Sequence, residues 1–220
     1  MNKCLTAILL ALSATASAQR LQPAPRLVVN ITIDQLRTDY IQAFAPLYGP
    51  DGFKKLLSEG RVYEAASYDF LPIDRASAVA SISSGTTPYY NNIVSSQWLD
   101  RATLRPVYCV ADSKVGTSPR LLSTSTIGDE LKVATGGSAL VYALAFSRDA
   151  AVLSAGHAAD GAVWVDDNRG VLATSAYYPQ KAHKWLNAYN AVYSQRASDD
   201  RTKNLAVAHA AQACVVEQAM

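Results

Sequence analysis

The hydrophobic pattern of the chain opens with a nearly continuous run of apolar residues at positions 27–33 (LVVNITI), most of them β-branched. Polar and apolar residues do not alternate in this run, so both faces of the corresponding strand would be buried, as in the inner strands of parallel sheets. The run ends on Asp34. The pattern therefore predicts a buried strand with an acidic residue at its carboxyl end.

Helical and extended patterns alternate in the next part of the chain. Residues 38–47 and 52–58 have helical spacing, and residues 61–66 form a further strand candidate. An Ala- and Ser-rich stretch at 76–84 predicts a helix that packs closely against a sheet. A glycine shortly after each of the last two helical stretches is a typical stop signal.

The second half of the chain continues the alternation of helices and strands. Helices are predicted at 127–134, 184–193 and 204–218, and strands at 139–146, 162–165 and 171–174. Strands that alternate with helices are typical of α/β proteins. We therefore expect an α/β layered sandwich with a mostly parallel central sheet flanked by helices.

The composition excludes several classes of protein. Of 220 residues, 50% are hydrophobic and 17% charged, which argues against a disordered chain. The 20 Lys and Arg residues nearly balance the 18 Asp and Glu residues, and they are scattered along the chain. A nucleic-acid partner is therefore not expected, because such proteins concentrate basic residues on one face.

The amino terminus has the pattern of a secretory signal peptide. Lys3 precedes an apolar run at 5–12, and the small residues Ala16, Ser17 and Ala18 end the segment. The apolar run is shorter than the roughly 20 residues that span a bilayer. We expect a signal peptide at 1–18, a folded region at 19–220, and a protein exported to the periplasm or the outside of the cell, with no membrane span.

Two cysteines, Cys109 and Cys214, follow the predicted signal peptide. An oxidising compartment allows them to pair, and two buried free thiols are an equally open alternative. Neither belongs to a CxxC or Cys/His pattern, so a zinc finger is excluded.

A series of motifs in a fixed order resembles a known family. The motifs are VNITIDQLRTDY, GFKKLLSEG, SSGTTP, SQWLDR, PVYCVAD, STSTIGDEL and SAGHAADGAVWVDD. Together they resemble the metal-dependent alkaline phosphatase superfamily, in its PafA-like bacterial branch related to type I phosphodiesterases and nucleotide pyrophosphatases. The resemblance implies that residues 19–220 are the N-terminal portion of an alkaline-phosphatase-like domain.

The resemblance also implies a chemistry. Members of the family bind zinc through an Asp at the end of the first strand, and a Thr or Ser at the start of a later helix attacks phosphorus. Zinc stabilises the attacking and leaving oxygens and acidifies the hydroxyl nucleophile. Asp34 matches the first zinc ligand.

The other active-site positions depart from the family pattern. Arg75 stands at the nucleophile position, and an arginine side chain stays protonated and cannot attack phosphorus. Ser96 replaces the family's active-site Asn. The family's Lys-Asp-Arg triplet appears as Ser147, Arg148 and Asp149, which puts an anion where an arginine would contact phosphate. We expect Arg75 to form an ion pair with Asp34, since a buried carboxylate needs a partner.

The remaining zinc ligands of the family lie further along a chain more than twice as long. His157, His183 and His209 share no ligand spacing, so we expect them to be hydrogen-bonded or surface residues. Ser77 and Ser81 follow Arg75 on the same helix, but a displaced hydroxyl would miss the in-line geometry of phosphoryl transfer. No cofactor is therefore expected, and zinc only if activity remains.

Three functional hypotheses remain open at this point. The leading one is a catalytically inactive pseudophosphatase that acts by binding a phosphorylated small molecule or an envelope protein. The second is a metal-dependent phosphomonoesterase or phosphodiesterase truncated before its remaining zinc ligands. The third is a structural or interaction protein of the envelope that keeps only the fold.

Overall fold

The structure is a computed structural model that describes residues 25–179, 181–193 and 200–219. The predicted signal peptide at 1–18 lies outside the described residues. The chain divides into two units, Met1–Asn30 and Ile31–Met220. In the first unit, the described residues 25–30 form no helix or strand. All helices and strands given below lie in the second unit.

The helices are short in the first half of the chain and longest at its end. They are α1 (Thr38–Ala43), a 3₁₀ turn (Ala45–Leu47), α2 (Phe53–Glu59), α3 (Arg75–Ser84), α4 (Pro88–Asn91), α5 (Ile127–Ala134), α6 (Arg148–Ala155), α7 (Lys181–Tyr193) and α8 (Asp200–Ala219). The helices predicted at 76–84 and 127–134 are confirmed within one residue.

The strands form two small hairpins and one three-stranded sheet. They are β1 (Gln97–Leu99), β2 (Pro106–Tyr108), β3 (Ala111–Asp112), β4 (Gly116–Thr117), β5 (Tyr142–Ala145), β6 (Gly161–Asp166) and β7 (Val171–Thr174). Antiparallel pairing joins β1 to β2 and β3 to β4. In the larger sheet, β6 is central, parallel to β5 and antiparallel to β7. The fold is α/β as expected, and parallel pairing is present in one of the two ladders of that sheet.

Helix α3 begins and ends with strong local signals. The Asp74 carboxylate accepts the backbone N–H of Ser77, and the Ser77 hydroxyl accepts the backbone N–H of Asp74, which forms a capping box. Gly85 closes the helix in the left-handed conformation at φ 67°. A residue with a Cβ atom adopts this conformation at a cost, so glycine is preferred at such helix ends.

Two hydrophobic clusters flank the three-stranded sheet. The first joins small side chains of α3 and α6, among them Ala76, Ala80 and Ala151, to Cys109 and Trp164. The Ala- and Ser-rich composition of α3 thus allows a close approach to α6. The second cluster joins side chains of the sheet to side chains of α7 and α8. Its members include Val163, Leu172, Trp185, Tyr189 and Cys214.

The two cysteines are free and buried in separate clusters. Burial, together with the negative charges of Asp149 and Asp74, raises the pKa of the Cys109 thiol to about 12. Burial also raises the pKa of the Cys214 thiol, to about 11. Both side chains act as small core residues, and the alternative of a disulfide between them is not realised.

The strands predicted at 27–33 and 61–66 are not formed. Residues 27–33 have no ladder partner among the described residues, and their apolar side chains, such as Ile31 and Ile33, are exposed. A strand needs a neighbour that accepts and donates its backbone hydrogen bonds, and a favourable side-chain pattern does not replace that neighbour. No residue from Ile31 to Ile73 is buried. Among the described residues, no helix is long and apolar enough to cross a membrane.

Candidate functional site

The candidate site begins at Asp74, which ties the start of α3 to the loop before β1. One carboxylate oxygen caps the helix through Ser77, as described above. The other accepts the backbone N–H of Ser96 at 2.6 Å, the Ser96 hydroxyl at 2.8 Å and the Ser95 hydroxyl at 3.0 Å. Partial burial of Asp74 opposes its ionisation, but these hydrogen bonds outweigh that effect, so the pKa of Asp74 is lowered. Ser96 therefore contributes to the anchoring of a carboxylate.

Arg75, the first residue of α3, forms an ion pair with Asp149 of α6. Arg75 Nη2 lies 3.3 Å from Asp149 Oδ2. The Asp149 side chain is fully buried, whereas 45% of the Arg75 side chain is exposed. Asp149 Oδ1 also accepts the backbone N–H of Ala150 at 3.0 Å. The buried carboxylate is thus held by a guanidinium group on one oxygen and a helix amide on the other.

The start of α6 carries two further groups of the site. Ser147 is the N-cap, and its hydroxyl accepts the backbone N–H of Ala150 at 3.4 Å. The guanidinium of Arg148 lies over the Tyr108 ring, 4.7 Å from its centroid. Burial raises the pKa of Tyr108, and the negative charge of Asp149 raises it further. Tyr108 therefore remains a neutral phenol that supports a cation on its ring face.

The structure brings Arg75 and Asp149 into direct contact, with Ser147 two residues before Asp149 and Ser96 anchored to the residue before Arg75. Asp74, Tyr108 and Arg148 of the triplet complete this group, and the sequence pattern did not predict the roles of Asp74 and Tyr108. Asp74 carried a recognisable signal, since Asp is one of the residues preferred at the N-cap of a helix. The contact between Arg148 and Tyr108 joins distant positions and leaves no local signal.

The expected ion pair between Arg75 and Asp34 is not formed. Among the described residues, the acidic partner of Arg75 is Asp149. Asp34 lies in an exposed turn that directly follows residues 27–33. Its charge acts on Tyr68, whose pKa is raised by burial and then by Asp34. Asp34 needs no buried cation because it is not buried.

The residues that the structure describes do not fit the zinc site of the family. Within them, no group of three or more His, Cys, Asp or Glu side chains is placed to hold a metal ion. Arg75, which the sequence motifs predict to stand at the family's nucleophile position, carries a fixed positive charge and is paired with Asp149. Asp34 thus remains a candidate zinc ligand that is not part of a group of three or more potential ligands in the described part of the chain.

Ser77 and Ser81 of α3 do not offer a substitute nucleophile. Ser77 is fully buried, and its hydroxyl donates to the Asp74 carbonyl while it accepts from the Asp74 amide. The hydroxyl of Ser81 is buried without a hydrogen-bond partner in the described structure. Neither hydroxyl is exposed to a substrate.

A second polar cluster joins the STSTIGDEL and SAGHAAD motifs. Asp129 accepts hydrogen bonds from the Ala158 amide at 2.7 Å and the Thr126 amide at 2.8 Å, and lies 3.4 Å from His157 Nδ1. Burial opposes ionisation of Asp129, but His157 and these amides outweigh it and lower its pKa. The hydrogen bond to Asp129 raises the pKa of His157 despite partial burial. The motif histidine thus has a structural role, as expected.

An open cavity of about 500 Å³ lies beside this second cluster. Its lining residues are Ser123, Thr124, Ser125, Asp129, Lys132, Val133, Gly136, Gly137, His157 and Ala158. The charged groups in this lining are paired within the protein: Lys132 with Asp160 at 2.7 Å, and His157 with Asp129. The cavity therefore presents hydroxyls and small apolar groups.

Comparisons with known proteins agree with the motif pattern. A family model described as type I phosphodiesterase / nucleotide pyrophosphatase matches residues 28–216. The alkaline phosphatase PhoV of Synechococcus elongatus is 37% identical over 76% of this chain and 32% of its own length. The alkaline phosphatase PafA of Elizabethkingia meningoseptica is 35% identical over 76% of this chain and 33% of its own length.

A solved structure shows the same likeness at the level of the fold. The crystal structure of wild-type alkaline phosphatase PafA superposes with a TM-score of 0.75 and 34% identity, covering 78% of this chain and 35% of that chain. The chain spans about a third of the length of these relatives.

Proposed function

The chain belongs to the type I phosphodiesterase / nucleotide pyrophosphatase family, and from this premise we propose that it is an exported pseudophosphatase, which binds a partner and does not hydrolyse phosphate esters. The observation that carries the proposal is the ion pair between Arg75 and Asp149. A phosphatase of this family needs a hydroxyl at position 75, and a guanidinium group cannot serve as a nucleophile.

The geometry supports a lasting loss of catalysis. Arg75 is held by Asp149, and Ser96 by Asp74, so the positions at which the family binds phosphate are occupied by internal contacts. Replacement of the nucleophile alone would leave a hole or an unpaired group, whereas here each changed residue has a partner. The site therefore has the organisation of a stable structural element.

The experiment combines metal analysis and hydrolysis in one sample of purified mature protein. Zinc per chain is measured after dialysis against zinc, and turnover is measured with an aryl phosphate monoester and an aryl phosphate diester. The Asp34→Ala variant is the matched control, because Asp34 is the single candidate ligand. We expect no stoichiometric zinc and no turnover above that of the variant. Stoichiometric zinc with turnover that Asp34→Ala abolishes would overturn the proposal.

The binding partner that the structure favours is a protein of the cell envelope. Between Ile31 and Ile73 no side chain is buried, and large apolar residues such as Ile31, Leu56 and Tyr63 are exposed. Exposed apolar surface of this extent is typical of regions that contact other macromolecules. The phosphorylated small molecule, the other ligand class we considered, finds less support because Arg75 is already paired with Asp149.

The same exposed surface favours a second candidate, a phosphomonoesterase or phosphodiesterase completed by another polypeptide segment. The chain spans about a third of its relatives, so additional segments would supply the remaining zinc ligands in this case. The test is tagged protein recovered from its own cells and assayed for zinc-dependent phosphatase activity. Activity that Asp34→Ala abolishes supports the second candidate; an inactive complex supports the pseudophosphatase.

A further inference from the structure

We propose that the open cavity beside the second polar cluster binds a neutral saccharide, through hydroxyl groups in its lining and tyrosine side chains next to it. At about 500 Å³, the cavity falls within the range of about 300–1,000 Å³ that is typical of sites for small molecules. Two lining residues, Gly136 and Gly137, have no side chain, and even an added Cβ atom would meet nothing within 4 Å. The space there is open to a rigid sugar ring.

The cavity is separate from the contact between Arg75 and Asp149. Asp149 is the second residue of α6, whereas His157 and Ala158 of the lining follow the last residue of that helix. With eight residues at about 1.5 Å each, α6 is about 12 Å long. The two sites therefore lie at opposite ends of α6, and the inference goes beyond the proposed function without depending on it.

Two hydroxyls of the lining have no hydrogen-bond partner among the described residues. The hydroxyl oxygen of Thr124 is buried without a partner, and the hydroxyl of the exposed Ser125 is also unpaired. A buried hydroxyl without a partner is costly, so such a group in the wall of a cavity indicates a position for a hydrogen-bonding ligand. In the proposed complex, the Thr124 side chain rotates about χ1 to present its hydroxyl to the sugar.

The charged groups of the lining are satisfied within the protein, which favours a neutral ligand. Lys132 Nζ lies 2.7 Å from Asp160 Oδ2. His157 Nδ1 lies 3.4 Å from Asp129 Oδ2, and His157 Nε2 lies 3.0 Å from the Leu122 carbonyl oxygen. A charged ligand would have to displace one member of these pairs and leave a partly buried charge behind. The hydroxyls of a sugar donate and accept, so they can pair with the free hydroxyls of the lining instead.

Exposed tyrosine side chains lie close to the cavity at two of its lining residues. The Tyr177 hydroxyl donates to the His157 carbonyl at 3.1 Å, and the side chain is partly exposed. The backbone N–H of Ser123 donates to the Asn91 carbonyl at 3.0 Å, so α4, which carries the largely exposed Tyr90, also adjoins the cavity. Tyrosine combines an apolar ring face with a polar tip, which matches the C–H faces and hydroxyl edges of a sugar.

The test is calorimetric and saturation-transfer NMR titration of the purified protein with the methyl glycosides of glucose, galactose, mannose and N-acetylglucosamine. We expect at least one of them to bind with a Kd of about 1–10 mM. Thr124→Val removes the hydroxyl and keeps the shape of the side chain, and it should weaken binding about tenfold without loss of stability. Tyr90→Ala should also weaken binding. Tyr63→Ala, at an exposed tyrosine outside the lining, is the matched control and should bind as the wild type does.

The source of the sugar is distinguished by titration with linear tetrasaccharides of the same four sugars. A tetrasaccharide that binds more tightly than its methyl glycoside identifies the end of a polysaccharide as the ligand, whereas equal affinities identify a free sugar. Either result supports the site.

Three outcomes would overturn the inference. The first is no binding of any of the four glycosides up to about 50 mM. The second is binding that Thr124→Val leaves unchanged, because the sugar would then lie elsewhere; should this variant not fold, Ser125→Ala, at an exposed position, serves for the same comparison. The third is tighter binding of glucose 6-phosphate than of methyl glucoside, which would contradict a neutral ligand. None of them bears on hydrolysis, so the proposed function is tested separately.

Discussion

Arg75 Nη2 lies 3.3 Å from Asp149 Oδ2, and this contact joins the first residue of α3 to the second residue of α6 across 74 positions of the sequence. The motif pattern of the sequence predicts that position 75 corresponds to the family's hydroxyl nucleophile and position 149 to an arginine, and under this prediction the two departures form a complementary pair. A cation at position 75 is compatible with the buried anion at position 149, and each explains the presence of the other.

The pair predicts unequal effects of the two single substitutions on stability. Arg75→Gln leaves a buried carboxylate without its cation, which we expect to cost about 2 kcal/mol, less than for a fully buried pair because Arg75 is half exposed. Asp149→Asn leaves a cation that water reaches, and we expect a cost of about 1 kcal/mol.

A double-mutant cycle measured by urea unfolding checks this prediction. We expect the double variant Arg75→Gln with Asp149→Asn to be less destabilised than the sum of the single variants. Strict additivity of the two effects would show that the contact contributes no coupling.

Asp74 is the second stability determinant of the site. Replacing it with Ala removes the helix cap and the hydrogen bonds from Ser95 and Ser96, so we expect a loss of about 3 kcal/mol in the free energy of unfolding. Asp74→Asn keeps an oxygen that caps the helix, and it should cost clearly less. Chemical denaturation of both variants measures the difference; equal losses would contradict the role of the cap.

The pair of Asp129 and His157 predicts how stability depends on pH. The pKa of His157 is raised in the folded protein, so its contribution is fully present below the unfolded value of about 6.5 and is lost as pH rises through the folded value. The pKa of Asp129 is lowered, so its contribution is present above about pH 4 and is lost as pH falls through the folded value. We therefore expect the largest joint contribution between about pH 4 and pH 6.5.

Thermal unfolding over a pH series tests this window. His157→Gln should flatten the decline of stability on the alkaline side. His209→Gln, at an exposed position of α8, is the matched control and should keep the wild-type profile. An unchanged alkaline slope in His157→Gln would assign the decline to another group.

Gly156 lies against Thr126 and Asp129 of the second polar cluster, with no room for a side chain. Its φ is +79°, and a Cβ atom there would lie 2.5 Å from Asp129 Oδ2 and even closer to Thr126 Oγ1. We expect Gly156→Ala to lower the free energy of unfolding by about 3 kcal/mol or more, through strain and disruption of the Asp129 hydrogen bonds. Gly137→Ala shares the positive φ but meets no atom within 4 Å, so about 1 kcal/mol is expected there. Similar losses in denaturant unfolding for both variants would contradict the steric argument.

The second half of the fold was predictable because its signals are local. The capping box of Thr126 and Asp129 marks the start of α5, and short apolar runs mark β6 and β7. Residues 27–33 carry an equally clear strand signal, yet they pair with no strand in the described part of the chain, because strand formation depends on a distant neighbour. Local pattern determines a helix more fully than it determines a strand.

The contacts within the candidate site could likewise be predicted from the sequence only in part. The assignment of Arg75, Ser96, Ser147 and Asp149 to active-site positions of the family stays a prediction, and the predicted partner of Arg75 was wrong. The prediction assumed that Asp34 ends a buried strand, and that assumption failed together with the strand. Burial, which decides where a charge needs a partner, is a tertiary property that the sequence pattern did not provide.

The absence of buried residues between Ile31 and Ile73 leads to a final prediction on limited proteolysis. Segments without core contacts open at low free-energy cost and are cleaved first. Trypsin should therefore cut the native protein after exposed residues such as Arg37, Lys55 and Arg61 before it cuts the helices around the core. Arg148 is the internal control. It is also exposed, but α6 packs into the first hydrophobic cluster, so the bond after Arg148 should resist cleavage.

The same digestion separates the candidate functions when it is repeated on protein recovered from its own cells. A partner that covers the exposed apolar side chains of residues 31–73 would protect the trypsin sites there, and the purified chain alone would lose that protection. Protection without zinc-dependent phosphatase activity supports a pseudophosphatase that binds a protein partner. Protection together with activity that Asp34→Ala abolishes supports an enzyme completed by a second polypeptide. Rapid cleavage in both preparations would show that the exposed surface has no stable partner, and would contradict the proposal of a protein ligand at this surface.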